Sequence, residues 1–427
     1  SKFTFNNDTM HVEKFLLTRN NQRISANGYL SKKDKHKLKF NIQKLDISEL
    51  SKFISNIPLK GTFNSSGYIS NPINNFAYKG KATIEEFIIQ NQLLGNINLS
   101  SFWKPKSKSI YLDGNLRYKE EKTFDFIGDY YPYTKGNKLD FNLIFDKTDI
   151  QFTNAFLDPN VLSEIKGFLK GKLKVSGNPE KPNFDGSISL INGSAKLELL
   201  GTNFATEGPI QVDNSGFYID EIPIFDEEGN AGKLTGSVYH DNFENFNFDV
   251  SLDLEEDAIN KDPLIPWKSI PLNKFLILNS KYKSGDVYYG KGYATGMVDI
   301  FGYSNNLEIT VNLETKEGTK INIPMYGIKE IEDENFIHFV NKENIINTLE
   351  PKIDFTGVNL DLNFKITPSA EVKIIFNEKL EDEITANGQG DLNISLNNIG
   401  DLNMNGIYTV KNGVYDFAMG LIKQKFY

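Results

Sequence analysis

Hydrophobic and polar residues alternate with a period of two along most of this chain, the spacing that sends successive side chains to opposite faces of a strand. Phe246, Phe248, Val250, Leu252 and Leu254 alternate with Asn247, Asp249, Ser251 and Asp253, and Leu139, Phe141, Leu143 and Phe145 repeat the pattern. It returns in Leu307, Ile309, Val311 and Leu313, in Leu360, Leu362, Phe364 and Ile366, and in Leu392, Ile394 and Leu396. Each such strand is apolar on one face only, as in antiparallel sheets with one wet face. Turn pairs such as Asn192-Gly193, Glu228-Gly229-Asn230, Glu317-Gly318 and Asn412-Gly413 separate the runs, as in a meander of hairpins. Helix is expected only in short pieces, at Ile47 to Asn56, Pro159 to Ile165 and Asn341 to Leu349. These cannot cover so much apolar strand surface.

A weak internal repeat sets Gly61, Gly67 and Pro72 against Gly171, Gly177 and Pro182, each pair 110 residues apart (182 − 72 = 110). Repetition favours an elongated body. Boundaries are placed near Asn154, before the second copy, and near Asp262, where IPWKSIPLNKF interrupts the alternation. The expected segments are therefore 1–153, a central repeat 154–261, and a C-terminal segment 262–427.

Composition narrows the function. There is no Cys, which excludes disulfide frameworks, zinc–thiolate clusters and thiol nucleophiles. Lys and Arg number 47 against 56 Asp and Glu, for a net charge of −9, with both signs scattered and no basic stripe along the sequence, so nucleic acid is not an expected partner. No run approaches the ~20 apolar residues of a membrane helix. Ser1 to Asn6 reads as strand interior in place of a signal peptide, so any membrane anchor is expected outside this chain.

Candidate chemistry is sparse. His11, His36, His240 and His338 lie far apart with no metal-ligand spacing, and are expected in turns or on the surface. Asp226 to Asn230 lacks the spacing and final Glu of a calcium loop and reads as a solvated hairpin turn. Glu378, Glu381, Asp382 and Glu383 read as hydrophilic loop charge. Without a Ser-His-Asp set, phosphate loop or dinucleotide fingerprint, neither an enzyme nor a cofactor or metal site is expected.

One-faced strands with little helix can hide their apolar faces in a dry sandwich, in a closed barrel, or in a sheet curled about its long axis into a trough. Alternation alone leaves all three open. Gly167, Gly171, Gly236 and Gly296 in strand-like runs suit tight curvature or a close-lying ligand.

Residues 164 to 254, from EIKGFLKGKLKVSGNPEKPNFDGSISL onward, resemble the TamB family, the translocation and assembly module subunit related to AsmA-type proteins. The likeness continues through GKGYATGMVDIFGYSNNLEITVNL, ITPSAEVKIIFNEKLEDEITANGQGDLNISL and the closing GDLNMNGIYTVKNGVYDFAMGLIKQKF, which holds Gly406, Tyr408, Gly413, Tyr415, Phe417 and Lys425. It runs from about Asp46 to the end, with residues 1 to 45 similar in style, and the family continues past the position of Phe426. The resemblance implies a β-taco, a long antiparallel sheet folded lengthwise around a hydrophobic interior. It implies a periplasmic protein anchored in the inner membrane and reaching the outer one. Its implied partners are phospholipid acyl chains and an Omp85-type outer-membrane barrel, in lipid transport or in outer-membrane protein assembly and secretion. On that reading Ile188, Leu190, Val250, Leu252, Ile309, Val311, Leu362 and Phe364 line the groove. Tyr408, Tyr415 and Phe417 are docking candidates for the barrel.

Overall fold

The computed structural model describes residues 2–427 apart from 7, 50–57, 73–74, 90, 120, 156, 158, 160, 242–243, 256–273, 284–285, 287, 326–356, 378–379, 398–401 and 420–421. The fold is all-β. Strands cover most of the described chain, and helix is confined to Ser48–Glu49 and a single 3-10 turn at Gln151–Ala155. Two compact units emerge, residues 1–157, 165–193 and 208–218 in the first, and 158–164, 194–207 and 219–427 in the second.

The first unit is a meander. β1 (Lys2–Asn6), β2 (Thr9–Arg19), β3 (Gln22–Ser31), β4 (Lys37–Asp46), β5 (Leu59–Ser70), β6 (Ala77–Ile89), β7 (Gln92–Lys104), β8 (Ser109–Tyr118), β9 (Glu121–Tyr130), β10 (Leu139–Asp149) and β11 (Leu162–Asn178) each pair antiparallel with the next. β12 (Lys181–Leu197) follows against β11, where the backbone of Ile188 comes so close to Gly171 that a Cβ would stand 2.7 Å from the Ile188 Cα. Gly171 (φ +145°) and Gly61 (φ +147°), the matched residues of the sequence repeat, share this conformation, which an L side chain rarely adopts.

The expected helix at Pro159 to Ile165 is not formed. β11 starts at Leu162 and buries Ile165, Leu173 and Val175 on the face shared with β10, which outweighs the local preference of a few residues. Asn154 ends the preceding turn by accepting from the Ile165 amide at 3.2 Å. Most of the Ile47 to Asn56 candidate, and all of Asn341 to Leu349 and the boundary near Asp262, lie outside the described residues.

The second unit takes in part of β13 (Thr202–Val212) and β14 (Gly216–Phe225), then β15 (Ala231–Asp241), β16 (Glu244–Asp253), β17 (Phe275–Ser280), β18 (Tyr289–Tyr303), β19 (Asn306–Thr315), β20 (Lys320–Pro324), β21 (Val358–Ile366), β22 (Glu371–Asn377), β23 (Asp382–Leu396), β24 (Leu402–Met419) and β25 (Ile422–Phe426). Long strands here are flanked by short ones laid end to end. β18 is bordered on one edge by β16 and β17 and on the other by β19 and β20. β21 and β22 then run parallel to β19 and β20, and β23 spans both.

The sheet of this unit curls back on itself at one level. β17 pairs with β18 on one side, and on the other the Asn279 amide donates to the Leu200 carbonyl at 3.0 Å and the Thr202 hydroxyl to the Ile277 carbonyl at 2.9 Å. Inside this closure Phe275 stacks on Phe204 with centroids 5.9 Å apart, among buried Ala231, Leu254 and Ala294.

Candidate functional site

Strand register turns the alternation into rows that cross each sheet on one face. In the second unit Leu234, Leu252, Val298, Val311, Leu362, Ile394 and Met404 stand opposite one another in succession over seven strands. The neighbouring row is Gly236, Val250, Ile300, Ile309, Leu360, Leu396 and Leu402. Six of the eight residues expected in a groove, namely Val250, Leu252, Ile309, Val311, Leu362 and Phe364, thus share one apolar face. Ile188 and Leu190 belong to the first unit, where Ile188 is buried with Leu173 and Val212 and Leu190 is half-buried.

The face is not uniformly covered. Val311 is 8% exposed and packs into the cluster around Phe275, whereas Val250, Leu252, Ile309, Leu362 and Phe364 remain half-buried. The first unit has the same construction. Leu45, Phe63, Ile84, Ile97, Leu116, Phe124 and Phe145 form one row over seven strands, and every member is half-buried.

The register of this sheet slips at several points. Lys44, Glu86 and Lys147 adopt φ of +52°, +50° and +57° at bulges in β4, β6 and β10, and Lys14 does the same in β2. The Lys44 amide is held by Asn64 Oδ1 and the Glu86 amide by Asn96 Oδ1, each at 2.9 Å. Each such bulge bends its strand and increases the local twist. The sequence signal is an apolar spacing of three in place of two, as in Val12/Phe15, Ile42/Leu45 and Ile84/Phe87.

The expected hairpin turn at Asp226 to Asn230 is formed with Glu227, Glu228 and Gly229 exposed at its tip, but its first residue is buried and its carboxylates are engaged. Asp226 is buried and accepts from the amides of Glu228, Asn230 and Leu276, the last at 2.6 Å. Glu227 accepts from Asn203 and from the Asn279 side chain at 2.7 Å, and Glu228 accepts from Lys291 and from Tyr293 at 2.8 Å. The Lys291 and Tyr293 bonds hold the Glu228 carboxyl below its usual range; burial would raise that of Glu227, but its amide donors outweigh burial and lower it. All three carboxylates are spent on anchoring β17 and β18, so the turn is a clasp.

The acidic turn further on is similarly engaged, with Glu381 bonded to Lys423 at 2.7 Å and Glu383 to Lys373 at 2.8 Å. His11 stacks on Tyr29, and His36 bonds Ser31. His338 and Glu378 lie outside the described residues. Among the described residues no cluster of His or carboxylates has metal-site geometry, and no helix is long and apolar enough to cross a membrane.

The three docking candidates lie on β24. Tyr408 is half-buried beside Gly388, and Tyr415 and Phe417 pack ring to ring at 5.8 Å, with Phe426 and Phe376 also against Tyr415. The exposed apolar side chains of this strand are others, Met404 (63%), Ile407 (79%) and Val410 (54%). β25 pairs only with Tyr415 to Met419, so the earlier part of β24 has β23 as its one pairing partner among the described strands.

A concavity of about 900 Å³ opens on the opposite, polar face of the second unit, lined by Asn312, Glu314, Asn363, Lys365, Asp391 and Asn393. Leu313, Phe364 and Leu392, which alternate with these polar residues, also contribute to its lining.

Long one-faced sheets, apolar rows in register and a turn that clasps the curl are the setting in which the similarity of the sequence to known proteins is informative. The family profile of the TamB C-terminal domain matches residues 13–226 and again 220–427. The chain belongs to the TamB family. The likeness read from residue 46 onward thus begins earlier, in β2. Membership ties the chain to the bacterial cell envelope and to outer-membrane assembly or lipid transport in the broad sense. No curated protein and no solved structure matches the chain.

Proposed function

We propose that the apolar face of each unit carries phospholipid acyl chains, and that the chain serves as part of a conduit for phospholipid between the inner and outer membranes of the envelope. The observation that carries the reading is the row Leu234, Leu252, Val298, Val311, Leu362, Ile394 and Met404, seven strands wide, with no polar side chain in it. Moving an acyl chain through water costs about 0.8 kcal/mol per CH₂, and an apolar wall removes most of that barrier. Movement also needs neighbouring positions of similar affinity, which repeated Ile, Leu and Val provide and a specific pocket would not. No covalent step and no cofactor is required, and the head group stays at the seam in water. The test is native mass spectrometry of the purified chain with lipid extraction, beside Ile309→Arg. Copurified phospholipid that is lost in the variant supports the conduit; a lipid-free protein in both cases overturns it.

A second reading has its own support. The outer edge of β24 from Leu402 to Val414, with Met404, Ile407 and Val410 exposed, is suited to receive a strand from an Omp85-type barrel or its client by β-augmentation. A photo-crosslinker at Ile407 that captures an outer-membrane barrel in cells supports this assembly role, and capture of none removes it.

A further inference from the structure

The polar face of the first unit carries a feature that the sequence conceals. Register sets Asn27, Lys39, Tyr68, Lys79, Phe102 and Tyr111 side by side across β3 to β8, and the adjoining row holds Leu16, Ser25, Asn41, Ser66, Lys81 and Ser100. Residues distant in the chain thereby form one basic, aromatic-studded surface on a protein of net charge −9. Lys37, Lys39, Lys79 and Lys81 are exposed, and no carboxylate pairs with any of them among the described residues. The Lys37 ammonium lies 4.2 Å from the Tyr68 ring centroid, Lys104 stands over Tyr111 at the same distance, and Phe102 is 39% exposed.

At the margin of this surface a trough of about 620 Å³ opens on the same face. Its cations are Lys14, Arg23 and Lys39, its neutral donors include Ser25 and Asn41, and no carboxylate lines it. Leu16, 46% exposed, supplies an apolar margin. The carboxylates nearest in register lie at the periphery. Asp113 is on β8 opposite Ser100, Glu85 is turned toward Asn64 at 3.4 Å, and Asp129 is spent on Lys104 and Ser109, each at 2.8 Å.

We propose that this face docks on an anionic bilayer surface, with the trough receiving a phosphate-bearing lipid head group. Lysines beside aromatic rings on a flat sheet match the membrane interface, where cations meet head groups and rings sit at the boundary. The trough is several times larger than an ion and of a size that holds a head group. The proposal concerns the face opposite the apolar rows and does not rest on what those rows carry.

The experiment is flotation of the full chain with phosphatidylcholine vesicles, with and without phosphatidylglycerol. Binding is expected only with the anionic lipid, falling as salt rises, because exposed charges are screened over about 8 Å at physiological ionic strength. Each lysine near an anionic surface contributes roughly fivefold, so Lys37→Gln/Lys79→Gln/Lys81→Gln should weaken binding about 100-fold. These side chains are exposed, and an unchanged far-ultraviolet spectrum verifies the fold. Arg23→Glu/Lys39→Glu, in the trough, should abolish flotation, whereas Lys320→Gln, at an exposed position of the second unit, should float as the parent does. Equal binding to neutral vesicles, lysine variants that float like the parent, or a protein that binds single-stranded DNA but no vesicle would each overturn the proposal.

Discussion

Thr367 and Thr315 are joined by two hydrogen bonds, both donated by Thr367: its amide donates to the Thr315 hydroxyl oxygen at 2.9 Å, and its hydroxyl donates to the Thr315 carbonyl at 2.8 Å. These residues end the regular strand on β19 and follow it on β21, where both chains bend before β20 and β22. The Glu371 amide bonds the Thr319 carbonyl at 2.9 Å on the far side of the bends. Two broken strands are thereby kept level, so the parallel pair turns as one.

Replacing Thr315 with Val keeps the shape of the side chain but strands the Thr367 amide. A half-buried donor without its acceptor costs about 1–2 kcal/mol. The urea midpoint of Thr315→Val is expected to fall accordingly, and an unchanged midpoint would show that water satisfies the amide.

Phe275 is 1% exposed at the centre of the closure made by β17. Truncating such a ring leaves a cavity as well as losing burial, for about 3–5 kcal/mol. Phe275→Ala should show a large loss in thermal stability, and β17 should exchange its amides fastest in hydrogen-exchange measurements.

The clasp at Asp226 predicts a loss of different origin. Asp226→Ala removes the acceptor of the Leu276 amide at a buried position, and bonds to a charged acceptor are worth about 1.5–3 kcal/mol. The expected readout is a lowered melting temperature, with protease cutting near β17 under native conditions.

The same clasp sets a pH window. The folded carboxyls of Glu227 and Glu228 in the clasp, and of Glu314 bonded to Lys365 and Lys316 elsewhere in the unit, titrate below the usual glutamate value of about 4.3, so the unfolded chain binds more protons there. Their contribution is present above that value and is lost as pH falls through the folded values. Lys291 is raised by Glu228 and then Tyr293, so its contribution is present below 10.5 and is lost as pH rises further. Urea midpoints measured from neutral to acid should drop below about pH 4.5, and Glu228→Gln should flatten part of that drop.

At the bulge of β4, Lys44 holds φ +52°, which β-branched residues tolerate poorly. Lys44→Gly should be neutral or slightly stabilising, while Lys44→Val should cost about 1–3 kcal/mol. Matching effects in both variants would mean that the bulge had relaxed.

Much of this molecule is legible before any fold is known. Period-two spacing assigns Val250, Leu252, Ile309, Val311, Leu362 and Phe364 to apolar faces, because a side chain on a strand has only two directions to choose between. The closing segment with Gly406, Tyr408 and Tyr415 carried the family resemblance that the profile match bears out. The hairpin at Asp226 was legible but its anchoring to β17 and β18 was not, because spacing shows which residues make a hairpin, and not what the hairpin leans against.

What the sequence by itself determined is therefore the class of element, the sidedness of each strand and the family. Register, closure and surface charge were decided by tertiary structure alone. Whether Val311 meets Leu362, whether β17 returns to Thr202, and whether Lys39, Lys79 and Lys81 gather on one face all depend on which strands become neighbours. That choice rests on long-range pairing and on bulges that shift register by one residue, and a shift of one carries every side chain to the other face.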